Sequence, residues 1–142
     1  MGRILAIDYG QKRVGLAVTD EMQIIATGLD TVHVNDLFAY LEKYIEGKSI
    51  EKIVVGEPRN LDNTPSDSQR FIEPFIKKLK KHFPDIPVFR VDERFTSKMA
   101  KDVILSSGIG KKARQKKELV DKISATIMLQ SFMQQQLMKE KY

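Results

Sequence analysis

The chain contains no cysteine and no long apolar run. The lack of cysteine excludes disulfides, thiolate metal sites and a cysteine nucleophile. No apolar stretch approaches the roughly 18 residues that a membrane-spanning helix needs. The N-terminus leads directly into a predicted strand and has no signal-peptide pattern. We therefore expect a cytoplasmic protein with no membrane partner.

Apolar residues make up 42% of the 142-residue chain and charged residues 30%. This length and apolar content predict one folded domain over residues 1–142 rather than a disordered chain. The formal net charge is +5. A modest positive charge suits a polyanionic partner such as nucleic acid, although it is a weak signal alone.

Three apolar runs open the chain, at Arg3–Tyr9, Arg13–Thr19 and Ile24–Val34. The short glycine-bearing link between the first two predicts an antiparallel hairpin, which the third run extends into a meander. Two later strands, Ile50–Gly56 and Val88–Phe95, alternate with amphipathic helices. This order predicts an α/β fold, with a mixed sheet of an antiparallel three-strand meander plus parallel strands and with helices on both faces.

Four helices are predicted between and after these strands. Asn35 is expected to cap the first, which ends at Gly47. Thr64-Pro65 is the predicted start of the second, in which Pro74 either introduces a kink or marks a later beginning. The other two are expected to begin at Thr96 and to span Glu118–Lys139.

Asp8 lies near the carboxyl end of an otherwise apolar first strand. In sheets of this order, ligand sites lie beyond the carboxyl ends of the strands. A charged carboxylate there costs free energy unless it is paired or binds a cation. The alternative is a structural aspartate that accepts hydrogen bonds from the next turn, and Asp8 alone does not decide between the two.

A second acidic position lies at the carboxyl end of the last predicted strand, at Asp92-Glu93. Adjacent residues of a strand point to opposite faces, so only one of the two can share a cluster with Asp8. Asp92 has Arg90 and Arg94 nearby as possible ion-pair partners. We therefore favour Glu93 as the metal ligand and keep Asp92 as the second choice or as a structural neighbour.

The third acid, Asp121, is predicted to lie on the final helix. An apolar stripe that includes Val120 and Ile123 forms one side of this helix, and Asp121 lies on the other side with Ala125 and Met128. A helix that is apolar on both sides is usually packed on both sides, so Asp121 is expected to face protein. The alternative is an acid that only complements the helix dipole.

Carboxylates on three separate elements, Asp8, Glu93 and Asp121, can converge at one edge of the sheet. Such oxygen ligands suit Mg²⁺ or Mn²⁺, and one or two ions of this kind support phosphodiester hydrolysis. His33 and His82 lie far apart in the sequence and do not suggest a zinc site.

Basic residues crowd the segment before the final helix, where Gly108 and Gly110 would allow movement. These cations are Lys111, Lys112, Arg114, Lys116 and Lys117. We interpret them as phosphate contacts, the alternative being a solvated loop. Further candidate nucleic-acid contacts beside the proposed site are Lys12, Arg13, Arg59 and Arg94. The cluster Lys77–Lys81 is interpreted as a solvent face that aids solubility.

Four sequence blocks, AIDYGQKRVGLAV, VVGEPRNLDNT, VDERFTS and VDKISATIMLQSF, occur in this order along the chain. With them the chain resembles the YqgF/RuvX family, described both as Holliday junction resolvases and as pre-16S rRNA nucleases. The resemblance implies a ribonuclease H-like fold and metal-dependent cleavage of structured nucleic acid, with Asp8, Glu93 and Asp121 as the metal-binding acids. Family members typically have an apolar residue at the position of Glu57. We interpret Glu57 as tolerated in an exposed loop rather than as a fourth acid.

Several alternatives remain at this point. The substrate is either the 5′ end of pre-16S rRNA, which we favour, or branched DNA such as a Holliday junction. A monomer suits the first substrate and a homodimer the second.

An actin-like ATPase lobe opens on a similar hairpin, but such enzymes need two lobes and a longer chain. A non-catalytic nucleic-acid-binding or ribosome-assembly factor would not need all three acids.

Overall fold

The computed structural model describes residues 2–57, 69–92 and 117–141. The strands are β1 (Arg3–Tyr9), β2 (Arg13–Thr19), β3 (Ala26–His33), β4 (Ile50–Glu57) and β5 (Val88–Asp92). The helices are a 3₁₀ helix (Val34–Asp36), α1 (Leu37–Glu46), α2 (Gln69–His82) and α3 (Lys117–Lys141). The predicted helix starts at Thr64-Pro65 and Thr96 lie outside the described residues, as do the last residues of the strand predicted to end at Phe95.

The five strands form one sheet in the order β3-β2-β1-β4-β5. β1 pairs with β2, and β2 with β3, in antiparallel fashion. β4 pairs with β1, and β5 with β4, in parallel fashion. The predicted mixed sheet, with an antiparallel meander and parallel strands, is therefore confirmed.

Apolar side chains pack on both faces of this sheet. Along β1, Leu5 and Ile7 face a core that includes Leu41 of α1 and Leu79 of α2. The alternate residues of β1 face a second core, to which α3 contributes its own apolar side chains. The β1 and α3 members of this second core are Ile4, Ala6, Ala125, Met128, Leu129 and Phe132. Helices thus cover both faces, as predicted, and the side opposite α1 and α2 is called the α3 face below.

The turn between β2 and β3 corrects the predicted start of the third strand, which is Ala26 rather than Ile24. Asp20 Oδ1 accepts hydrogen bonds from the backbone N–H groups of Ile24 and Ile25, each at 2.8 Å. Gln23 in the same turn has a φ of 58°. These contacts bend the chain, so Ile24 belongs to the turn. The hydrogen bond from Ile25, followed by those from its neighbours, holds the pKa of Asp20 below its usual range.

Replacing Asp20 by alanine is expected to lower the free energy of unfolding at neutral pH. In acid, the difference in unfolding free energy between this variant and wild type should disappear. The pKa of Asp20 is lowered in the folded protein, so its contribution is present above the unfolded pKa and disappears as pH falls through the folded pKa. Denaturant titration at several pH values measures the difference from wild type. The matched control is Glu21→Ala in the same turn. A deficit of Asp20→Ala that is unchanged in acid would contradict the prediction.

The start of α1 also differs from the prediction, because Asn35 does not cap it. The Nδ1 atom of His33 accepts a hydrogen bond from the backbone N–H of Asn35 at 3.1 Å, which caps a 3₁₀ helix instead. The backbone N–H of Val34 binds the carbonyl oxygen of Lys12 at 2.9 Å and ties this segment to the β1–β2 turn. The chain therefore leaves the sheet through a tighter turn, and α1 begins only at Leu37. The predicted end at Gly47 is confirmed.

Helix α2 continues through Pro74 without ending there. The lysines of its exposed side are Lys77, Lys78, Lys80 and Lys81, whereas Leu79 is fully buried. This distribution confirms the predicted solvent face. None of the helices in the described ranges is long and apolar enough to cross a membrane.

Candidate active site

Asp8 is half-buried near the carboxyl end of β1, on the α3 face of the sheet. Its position on this face follows from the alternation of side chains along β1, because Ile4 and Ala6 belong to the second core, on the α3 face. Across the antiparallel pair, the partner of Asp8 is Gly15 of β2. The carboxylate therefore stands beside a position that has no side chain.

Helix α3 uses the space above Gly15 to approach the sheet closely. A Cβ atom added to Gly15 would lie 2.2 Å from the carbonyl oxygen of Asp121 and 3.2 Å from its Cβ. Cβ positions of paired residues on neighbouring strands are about 5 Å apart, so the Cβ atoms of Asp8 and Asp121 lie within about 9 Å of each other. The structure thus brings two of the three predicted acids to one place.

An arginine of β2 binds the carboxylate of Asp121. The distance between Arg13 Nε and Asp121 Oδ2 is 2.8 Å, and the two side chains are 34% and 26% exposed. Arg13 was expected to contact nucleic acid, and this ion pair was not predicted. The available signal was the alternation of β2, which places Arg13 and Gly15 on the same face. Arg13 thereby fixes the orientation of an acid from a distant part of the chain.

Helix α3 begins at Lys117, so Asp121 lies beyond its first turn. The dipole effect falls off within that turn, so it accounts poorly for an acid at this position. The contact with Arg13 and the approach to Gly15 instead tie Asp121 to the sheet.

Asp92 ends β5 and pairs with Glu57 of β4. Two residues earlier, Arg90 donates to the carbonyl oxygen of Gly56 at 3.2 Å and forms an ion pair with Glu73 of α2 at 3.4 Å. By alternation, Asp92 and Glu57 share the α2 side with Arg90, opposite to Asp8. Glu57 is half-buried in a strand. Its interpretation as an exposed loop residue is wrong, because strand pairing extends to the end of β4.

The favoured third acid, Glu93, lies outside the described residues. Within the part of the chain that the structure describes, no group of three His, Cys, Asp or Glu side chains is placed to hold a metal ion. The two acids that do converge, Asp8 and Asp121, offer the hard oxygen atoms that Mg²⁺ prefers. Mg²⁺ usually keeps several water ligands and uses only one or two protein carboxylates, so this donor set fits it.

Among the predicted nucleic-acid contacts, Lys12 is exposed in the β1–β2 turn, close in sequence to Asp8. Arg13 forms the ion pair with Asp121, and Lys117 is the first residue of α3. The others lie outside the described residues, namely Arg59, Arg94, Lys111, Lys112, Arg114 and Lys116. Gly15 was not singled out from the sequence, although it determines how closely α3 packs on the sheet.

Solved structures with this arrangement of strands and helices include two resolvases bound to Holliday junctions. The resolvase of Fowlpox virus aligns with a TM-score of 0.61 at 14% identity, covering 95% of this chain and 99% of its own. RuvC of T. thermophilus aligns with a TM-score of 0.54 at 19% identity, covering 89% and 91%. At these identities the likeness shows the fold alone, and it confirms the predicted ribonuclease H-like class.

Sequence comparison gives much closer relatives. A protein of Flavobacterium psychrophilum named "Putative pre-16S rRNA nuclease" is 55% identical over 133 residues, covering 94% of this chain and 97% of the relative. A protein of Phocaeicola vulgatus with the same name is 54% identical over 134 residues, covering 94% and 96%. The family model described as "RuvX: Holliday junction resolvase" matches residues 2–135. With nearly its whole length matched, the chain belongs to the RuvX family.

Proposed function

We propose that this protein is a divalent-metal-dependent nuclease that cleaves phosphodiester bonds in structured RNA, with the 5′ end of pre-16S rRNA as its substrate. The observation that carries the proposal is the convergence of Asp8 and Asp121 where α3 crosses Gly15. Two acids from distant segments lie near each other at the carboxyl end of a central strand, and ligand sites of α/β sheets lie at such strand ends.

Asp8 and Asp121 would hold Mg²⁺ or Mn²⁺, with Glu93 as the third ligand. Glu93 is chosen because it follows Asp92 by one residue, and Asp92 shares the α2 side with Arg90. When bound, such an ion lowers the pKa of a coordinated water and stabilises charge on the phosphate. The ion pair with Arg13 would hold the Asp121 carboxylate in place for this role.

Phosphate binding would come from the basic residues predicted as nucleic-acid contacts. Lys12 lies exposed in the turn that follows β1. The basic segment with Lys111, Lys112, Arg114 and Lys116 precedes α3 in sequence and, with Arg59 and Arg94, completes the set of proposed contacts. Such contacts give most of the non-specific affinity for a nucleic-acid backbone.

We favour RNA as the substrate because relatives that are more than half identical to this chain are named as pre-16S rRNA nucleases. A role in maturing ribosomal RNA also implies a ribosome precursor as partner and the cytoplasm as location. The second candidate is cleavage of a Holliday junction by a homodimer, favoured by the description of the family model. RNA processing needs only a monomer.

Incubating purified protein with a pre-16S rRNA fragment and a four-way DNA junction in parallel distinguishes the two functions. We expect cleavage of the RNA near its mature 5′ end in Mg²⁺ or Mn²⁺, and no cleavage when EDTA is present. Symmetrical cuts in the junction with intact RNA would favour the second candidate. Binding of either substrate without turnover in any metal would identify a non-catalytic assembly factor.

Replacing Arg13 by glutamine is expected to lower the cleavage rate about 10- to 100-fold, the usual effect of losing a partner that orients a metal ligand. The unfolding free energy should fall by less than about 1 kcal/mol, because the ion pair is partly exposed. Mg²⁺ titration of the rate should show a higher half-maximal concentration. Arg13→Lys should recover part of the loss.

The matched control is Glu73→Gln, which removes an ion pair on the other side of the sheet. It should leave both the rate and its Mg²⁺ dependence unchanged. Full activity of Arg13→Gln, with unaltered Mg²⁺ dependence, would show that Arg13 does not position Asp121.

A further inference from the structure

An aromatic cavity of about 390 Å³ opens on the sheet side opposite to the acids. It lies between the segment that begins α1 and the first turns of α2. Its aromatic and polar lining includes Tyr9, Asn35, Phe38, Phe71, Phe75 and Lys78. A volume of this size lies within the range of small-molecule sites, which are mostly apolar with a few polar groups for orientation.

Tyr9 connects this cavity to the candidate active site. It directly follows Asp8 on β1, so the two side chains project to opposite sides of the same strand end. The Tyr9 ring stacks on Phe75, with centroids 4.3 Å apart and planes at 14°.

Cationic groups accompany the aromatic rings at this cavity. Lys78 Nζ lies 4.5 Å from the centroid of the Phe38 ring. The guanidinium of Arg70 lies 5.3 Å from the centroid of the Phe71 ring, and Phe71 is 42% exposed. Exposed lysines continue along α2 beyond Lys78. An aromatic surface with cations beside it is complementary to a base and its phosphate.

We propose that this cavity binds one unpaired nucleobase of the nucleic-acid strand that is cut at Asp8. The proposal rests on the proposed nuclease function and extends it to a specific contact with single-stranded substrate. The Cα atoms of Asp8 and Tyr9 are about 3.8 Å apart, and their side chains lie on opposite sides of the sheet. A nucleic-acid strand that crosses the end of β1 can therefore place a phosphate on the α3 face and a neighbouring base against Tyr9. Stacking of this kind accepts any base.

A short single-stranded RNA that carries 2-aminopurine at one position tests the cavity directly. With EDTA present the RNA is not cut, and its fluorescence reports stacking. We expect quenching by wild type, and binding about tenfold weaker with less quenching for Phe71→Ala, since a stacked base contributes roughly 1–3 kcal/mol. Lys78→Ala should weaken binding with the quenching of the bound state retained. Both residues are exposed, so the variants should fold.

The matched control is Phe89→Ala, which removes another partly exposed phenylalanine, from the α3 face. It should bind and quench like wild type. Equal quenching and affinity for Phe71→Ala and wild type would overturn the cavity proposal, as would binding by wild type without quenching. Cleavage is measured separately. If one of these results is obtained while wild type cuts the pre-16S fragment in Mg²⁺, the cavity proposal fails and the proposed nuclease function stands.

Discussion

Replacing Asp8 by asparagine is expected to reduce RNA cleavage by about 1000-fold or more, with the fold retained. Several kcal/mol of transition-state stabilisation depend on a correctly held metal ion, and each 1.36 kcal/mol corresponds to about a factor of ten in rate. Asparagine has the same shape as aspartate but lacks the negative charge that holds the ion. Asp8 lies at the carboxyl end of β1, beside a glycine, so the substitution introduces no clash.

Single-turnover cleavage of the pre-16S fragment, at saturating Mg²⁺, measures this loss. The matched control is Asp20→Asn, which changes another aspartate at the tip of the β2–β3 hairpin, at the other end of the sheet. It should cleave at the wild-type rate. A rate for Asp8→Asn within a few-fold of wild type would remove Asp8 from the catalytic set.

Replacing Gly15 by alanine is expected to cost about 2–3 kcal/mol of unfolding free energy, in the range of overpacked cores. The added methyl group would lie 2.2 Å from the Asp121 carbonyl oxygen and 2.7 Å from its carbonyl carbon. These are backbone atoms of α3, so relief requires the helix to move. Because Asp121 moves with the helix, cleavage should fall at least tenfold even where the variant remains folded.

Thermal or denaturant unfolding, combined with the cleavage rate, tests this expectation. The control is Gly28→Ala, at which the new methyl group would approach Lys122 Cγ at 2.7 Å and Cδ at 2.8 Å. That contact is with a flexible side chain of the same helix, which can rotate away, so a smaller loss is expected. Equal stability losses for the two variants would contradict the role of Gly15 in seating α3.

Much of the fold could be predicted from local sequence patterns. The apolar runs and the short link at Gly10 indicated the hairpin, and the alternation of strands with amphipathic helices indicated the parallel part of the sheet. The apolar pattern of β1 placed Asp8 near the carboxyl end of that strand, and the helical period placed Asp121 on the side of Ala125. These predictions succeeded because strand and helix periodicities depend on near neighbours in the chain.

The remaining features depend on contacts between distant segments. The late start of α1 results from a hydrogen bond that the backbone N–H of Val34 donates to the Lys12 carbonyl oxygen. The shortened β3 is an exception, because it results from hydrogen bonds that the Asp20 side chain accepts from Ile24 and Ile25, four and five residues further along the chain. The ion pair of Arg13 with Asp121 joins residues 108 positions apart. The alternation of β2 gives the face of Arg13 but not its partner, so sequence reasoning named the acids and Arg13 but missed the ion pair between Arg13 and Asp121.

Metal titration by calorimetry tests the central claim most directly, because it asks whether Asp8 and Asp121 bind the same ion. Mn²⁺ is titrated into wild type, Asp8→Asn, Asp121→Asn and the control Asp20→Asn. We expect wild type and Asp20→Asn to bind equally, and each of the other two to bind at least tenfold more weakly. Equal Mn²⁺ binding by wild type and Asp8→Asn would contradict the metal site.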